Sequence, residues 1–198
     1  MKIFLGFILS YLIGSIPVGI LISKRYSQID IRKAGSGNIG ATNVARVVGK
    51  KAGLITLIGD MLKGALPVLF FLIFLGTENW QKQTIVALAG FFAFLGHLFP
   101  VYLKFKGGKG VATATGVFLV LSPLAVLFGT LIFLGVLWRW RYVSLASLSA
   151  SASLPVLIGL FSDKKVYILL AVAIAFLIFY RHKENIHRLL TGTEHKFK

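Results

Sequence analysis

Apolar residues gather in six long runs, at about 3–23, 53–76, 84–103, 111–137, 142–161 and 165–180, with short polar stretches between them. A helix needs about 20 mostly apolar residues to cross a bilayer, so runs of this length predict membrane-spanning helices. The fourth run contains Ser122-Pro123. Proline removes a backbone donor and disfavours helix at the residue before it. The run therefore reads either as one long helix or as two short ones.

Charge placement chooses between them, because cytoplasmic loops collect Lys and Arg. The loop 24–52 carries Lys24, Arg25, Arg32, Lys33, Arg46, Lys50 and Lys51. Placing it in the cytoplasm puts the N-terminus outside, and two further spans return the basic 104–110 stretch to the cytoplasm. With run four split, Arg139, Arg141 and the basic tail from Arg181 also fall inside. The pattern predicts an all-α polytopic membrane bundle of seven transmembrane segments, two of them short, with the N-terminus outside and the C-terminus cytoplasmic. Each short half would cover roughly 17–21 Å of a hydrocarbon core about 30 Å thick. Neighbouring helices or thinned lipid must then shelter it. The first run is too long for a signal-peptide core and no small-x-small site follows it, so it reads as a retained helix. There is no internal repeat or low-complexity linker, and residues 1–198 read as a single membrane-embedded domain.

Composition agrees with a membrane location. Hydrophobic residues make up 57% and charged residues 14% of the chain, against about 25% charged in a soluble domain. The net charge of +16 comes from 22 Lys and Arg against 6 Asp and Glu. In a soluble chain that excess would suggest nucleic acid. Set between apolar runs, it suggests anionic lipid or an anionic substrate. There is no cysteine, which excludes disulfides, thiolate metal sites and a Cys nucleophile.

Two glycine-rich basic stretches carry the candidate chemistry. The first runs Gly35-Ser36-Gly37-Asn38-Ile39-Gly40-Ala41-Thr42-Asn43 and is followed by Arg46. Hydroxyl and amide groups can bond phosphate oxygens, and Arg46 can do so bidentately. The plain alternative is a flexible, solvated loop. The second is Lys104-Phe105-Lys106-Gly107-Gly108-Lys109-Gly110, leading into a helix at Val111. A helix N-terminus behind glycines and lysines suits an anion, whereas charge anchoring of a loop would also use those lysines. The spacing of a nucleotide-binding P-loop is absent.

His97 stands just before the second stretch, as either an interfacial residue or a base. The tail Arg181-His182-Lys183-Glu184-Asn185-Ile186-His187-Arg188 reads as a basic helix on the inner leaflet or as a third wall of the same site. Glu194 is positioned to tie it down, and Ser144 is the serine of the fifth run nearest the cytoplasm. Asp60 and Lys63 lie at a pairing distance inside the second run and read as a structural pair buttressing the site. No H-x-x-x-x-D, G-x-S-x-G or H-E-x-x-H signature is present.

Taken together, these motifs resemble the bacterial acyl-phosphate:glycerol-3-phosphate acyltransferase family. Its three cytoplasmic motifs match Gly35-Ser36-Gly37-Asn38-x-Gly40-x-Thr42-Asn43-x-x-Arg46; then Gly96-His97-x-x-Pro100 with Lys106-Gly107-Gly108-Lys109-Gly110-Val111-Ala112-Thr113; then Arg181-His182-x-x-Asn185-Ile186-x-Arg188-Leu189-x-x-Gly192-x-Glu194. Asp60-x-x-Lys63-Gly64 is also similar to the family. The resemblance implies transfer of a fatty acyl group from acyl phosphate to the 1-hydroxyl of glycerol 3-phosphate, at the cytoplasmic side of a bacterial inner membrane. It assigns catalysis to Ser36, Arg46, Lys104, Asn185 and His187. It assigns substrate binding to Gly37, Asn38, Thr42, Asn43, His97, Lys106, Gly107, Gly108, Lys109, Gly110, Thr113, Ser144, Arg188 and Glu194. The 106–110 stretch and the helix behind it would cradle acyl phosphate. The proton acceptor would be His97, His187 or the substrate phosphate. No cofactor, metal or nucleic acid is implied. The partners are the two substrates and membrane lipid, and a monomer is compatible. An organophosphate transporter and a lipid-binding scaffold are the competing classes.

Overall fold

The computed structural model describes residues 1–197. The described chain is helical, and it divides into two compact units, Met1–Val117 and the residues from Phe118 onward. Among the described residues, five segments are long and apolar enough to cross a bilayer, and a sixth is added if one bent helix pair counts as a single span.

In the first unit, α1 (Lys2–Gly14) and α2 (Val18–Ser27) share the first apolar run. The sequence reads that run as one helix, but Pro17 breaks it. Pro17 has no N–H to give, and the chain turns there at ψ 69°. A short helix, α3 (Ala41–Val47), follows in the loop. Next come α4 (Lys50–Leu75) and α5 (Trp80–Leu98). Asn79 caps α5, its side chain accepting from the N–H of Lys82 at 2.9 Å. Phe7 stacks on Phe71 and Phe92, joining α1 to α4 and α5.

The fourth run is two helices, α6 (Val111–Leu121) and α7 (Pro123–Trp140), parted at Ser122 as the proline predicts. Only one of them is short. α7 continues past the apolar run through Arg139 and Trp140 to reach 18 residues, and ends where Arg141 turns left-handed at φ 64°. The expectation of two short halves is corrected accordingly.

The second unit continues with α8 (Val143–Phe161), α9 (Lys165–Arg181) and α10 (Lys183–Leu190). α9 and α10 meet at a bend of 62°. Large apolar side chains such as Phe74, Leu160 and Phe176 are exposed, while Ser147, Ser151 and Thr56 are buried. That inside-out distribution suits lipid surroundings, where small polar residues mediate close helix packing.

Candidate active site

The first glycine-rich stretch is folded, not loose. Ile20, Ile31, Ile39, Val44 and Ala52 form a small buried core, with Ile22, Val47, Val48 and Leu103 packed against it. Asn43, 2% exposed, organises the backbone above this core. Its Nδ2 donates to the carbonyls of Ile31, Ala34 and Asn38 at 3.3, 3.0 and 2.9 Å. Its Oδ1 accepts the Ser36 N–H at 2.9 Å. Asn38 closes a second turn by accepting the Gly40 N–H at 2.8 Å. Gly35 and Gly37 adopt φ 59° and 69°, the left-handed region that favours glycine. Asn43 is thus spent on holding the loop, in place of the substrate contact expected of it, and Asn38 also serves the turn. Ser36, Thr42 and Arg46 are exposed.

The second stretch leaves α5 through Pro100 and a short 3-10 turn at Val101–Leu103. Lys104 and Phe105 then take left-handed φ values of 51° and 63°, unusual for residues with side chains. Hydrogen bonds from Lys104 N to Val101 O (3.3 Å) and from Phe105 N to Pro100 O (3.0 Å) hold this turn. Lys104 and Lys106 are exposed, and Gly110, at φ 86°, delivers the chain into α6. Because Leu103 packs on the core of the first stretch, the two stretches share one foundation.

Beneath the second stretch lies His97, 3% exposed. The Gly108 N–H donates to the His97 carbonyl at 3.1 Å. A methyl group on Gly108 would overlap His97 Nε2, and one on Gly107 would overlap the His97 carbonyl. His97 therefore forms the floor of the loop. Thr113 is fully buried, and its hydroxyl has no hydrogen-bond partner among the described residues.

Asp60 and Lys63 pair as the sequence suggests, at 2.8 Å. The sequence reading missed two further members of this group. Lys63 also donates to the Ile16 carbonyl at 2.9 Å, and His97 Nδ1 lies 3.6 Å from Asp60 Oδ1. The Pro17 break was the available signal for the first, since it takes the Ile16 carbonyl out of the helical ladder: the Ile20 N–H bonds Pro17 O instead, and Ile16 O accepts the Val18 N–H at 3.0 Å with room for a second donor.

The tail residues form a cluster of their own in the second unit. Glu194 Oε1 accepts from Ser144 Oγ at 2.8 Å and Asn185 Nδ2 at 2.7 Å. Its Oε2 accepts from Arg188 Nε at 2.7 Å. Burial pushes the Glu194 carboxyl up, but the hydrogen bonds from Arg188, Asn185 and Ser144 outweigh it and hold the group below the usual glutamate value. Glu194 thus orients three of the residues assigned to substrate. His187 is exposed on α10. In the first unit, hydrogen bonds from Arg32 bring the Asp30 carboxyl down to about 2.

Membrane-length helices bearing two basic glycine-rich stretches, one anchored by a buried asparagine and one leading into a helix N-terminus, define an integral membrane protein that handles anions. Comparison with known proteins narrows the class. The family model described as glycerol-3-phosphate acyltransferase matches residues 4–192, and the chain belongs to that family. It is 52% identical over 189 residues to the glycerol-3-phosphate acyltransferase of Geotalea daltonii, covering 96% of this chain and 94% of that one. Two crystal structures of PlsY (YgiH), an integral membrane glycerol 3-phosphate acyltransferase, share the fold over 100% of this chain and 96% of theirs. The glycerol 3-phosphate form has a TM-score of 0.93 at 43% identity. The lysophosphatidic acid form has 0.92 at 42%.

Proposed function

We propose that this protein transfers a fatty acyl group from acyl phosphate to the 1-hydroxyl of glycerol 3-phosphate, yielding lysophosphatidic acid and inorganic phosphate. The hydroxyl oxygen attacks the acyl carbonyl carbon. The carbon–oxygen bond to phosphate breaks, and phosphate leaves with the bonding pair. Acyl phosphate is already activated, so no acyl-enzyme is required. The hydroxyl proton goes to a substrate phosphate oxygen. His97 is too enclosed between Asp60 and Gly108 to receive it, which leaves His187 as the protein alternative.

Ser36, Arg46 and Lys104 in the first unit, and Ser144, Asn185, His187 and Arg188 in the second, are assigned to the substrate phosphates. Gly107–Gly110 and the start of α6 cradle a phosphate through backbone N–H groups. Charge neutralisation and positioning supply the acceleration. The chain works as a single catalytic domain. The helices make seven spans, N-terminus outside and C-terminus cytoplasmic, with the reaction on the cytoplasmic side of the cell membrane.

The observation that carries this reading is the shared foundation of the two basic stretches. Leu103, next to Lys104, packs on the core that supports Ser36 and Arg46. Purified protein should release phosphate from acyl phosphate only when glycerol 3-phosphate is present. A transporter would instead move organophosphate across sealed vesicles, and a scaffold would bind without turnover. Single cysteines placed in the loops of this cysteine-free chain would report which side of the membrane each occupies.

A further inference from the structure

We propose that Asp60 and Lys63 are positioning residues that act through His97 on the Gly107–Gly110 loop. The proposal rests on the reading of that loop as a phosphate cradle. Asp60, Lys63 and His97 are all buried, and none takes a direct part in the acyl transfer described above.

The contacts form one continuous chain. Pro17 ends the helical pattern of the first span and leaves irregular backbone inside an apolar run. Such backbone is tolerated in a membrane only where protein groups satisfy it. There the Ile16 carbonyl accepts the Val18 N–H at 3.0 Å, and Lys63 reaches from α4 as a second donor, its Nζ 2.9 Å away. Asp60 balances that cation at 2.8 Å. The same carboxylate oxygen, Oδ1, faces His97 Nδ1 on α5 at 3.6 Å. The opposite edge of the imidazole, Nε2, lies against Gly108. The ring is thus held between a fixed carboxylate and the loop.

The next residue of α4 adds a second hold. A methyl group on Gly64 would overlap the Thr113 carbonyl, and one on Gly116 would overlap the Met61 carbonyl. These glycines let α4 and α6 meet backbone to backbone within a turn of Asp60 and Lys63. One short piece of α4 therefore determines both where the loop rests and where the helix behind it begins. Apolar side chains of the same size would fill this space without the penalty of burying charge, and such replacements often stabilise a fold. Retaining three titratable groups here is explained by what they place.

Steady-state kinetics of the purified full-length enzyme toward both substrates tests this, with the folded fraction measured by thermal unfolding. His97→Gln and Asp60→Asn should raise KM for a phosphate substrate about fivefold or more, with kcat per folded molecule within about threefold of wild type. Asp60→Glu should recover part of the lost KM. The double variant Asp60→Asn/His97→Gln should be no worse than the poorer single one, since both break the same chain of contacts. A merely structural role predicts fewer folded molecules with wild-type KM, and that result overturns the proposal. If Asp60→Asn does not fold, the charge-free Asp60→Leu/Lys63→Met pair makes the same measurement, with wild-type KM again decisive against it. Gly108→Ala separates the two layers. A raised KM there with unchanged KM in the His97 and Asp60 variants refutes positioning alone. A wild-type KM in Gly108→Ala removes the cradle, and this proposal with it.

Discussion

Asn43 Oδ1 accepts the backbone N–H of Ser36 at 2.9 Å, across seven residues of chain. The bond turns a glycine-rich stretch into a defined platform. It orients the Ser36 backbone, while the same amide donates to three carbonyls beneath it. Asn43→Ala would leave those buried carbonyls without their donor, at about 1–3 kcal/mol for an unsatisfied buried group. The expected outcome is a lower unfolding temperature together with a loss of kcat/KM, checked by thermal unfolding and initial rates. Asn43→Asp should be comparably harmful, because a carboxylate cannot donate to the three carbonyls.

Arg46 is exposed on the last turn of α3 and pairs with no acidic side chain among the described residues. Removing a charge-assisted phosphate contact costs about 1.5–3 kcal/mol, a factor of about 10 to 150 in rate. Arg46→Ala should therefore lose kcat/KM by that factor with little change in unfolding temperature. Arg46→Lys should recover only part of it, since an ammonium lacks the bidentate geometry. Wild-type turnover in Arg46→Ala would take Arg46 out of the site.

The helices were legible because run length alone decides whether a segment can cross a bilayer. Ser122-Pro123 marked the break in the fourth run correctly, as proline chemistry demands. Pro17 gave the same signal and was hidden by the unbroken apolar run around it. The end of α7 was hidden for the opposite reason: Arg139 looked like a loop residue, yet helix continues through it to Trp140. The folded state of the first loop was not legible. Its core draws on Ile20, Ile31, Ile39, Val44 and Ala52, spaced without helix or strand period. The contact of Asp60 with His97 joins two separate helices, and no local spacing predicts such a pair. Glu194 was legible as a tether, whereas its choice of Ser144, Asn185 and Arg188 as partners depends on how α8 and α10 pack.

Glu194 links stability to acidity. Its folded-state carboxyl lies below the usual value of 4.5, because the hydrogen bonds from Arg188, Asn185 and Ser144 outweigh the effect of burial. A depressed folded value contributes stability that is fully present above the unfolded-state value and is lost as pH falls through the folded one. Thermal stability should therefore decline as the pH is taken below about 4.5. Glu194→Gln should be less stable at neutral pH, since its amide cannot accept from Arg188 as a carboxylate does, and its decline in acid should be flatter. Unfolding temperature measured across this range for both proteins gives the comparison. Parallel curves would remove Glu194 as the linked group.

His187 distinguishes the two remaining proton acceptors. It is exposed on α10, while His97 is enclosed. A general base contributes about 10²–10⁴-fold to rate. With the substrate phosphate accepting the proton, His187→Ala loses only a phosphate contact: KM rises and kcat stays within about tenfold of wild type. With His187 as the base, kcat itself falls by two orders of magnitude or more. The first outcome is expected. A phosphate oxygen on the bound acceptor can reach its own 1-hydroxyl within one molecule, so the proton transfer needs no further positioned group. Initial rates of His187→Ala with both substrates saturating decide between them.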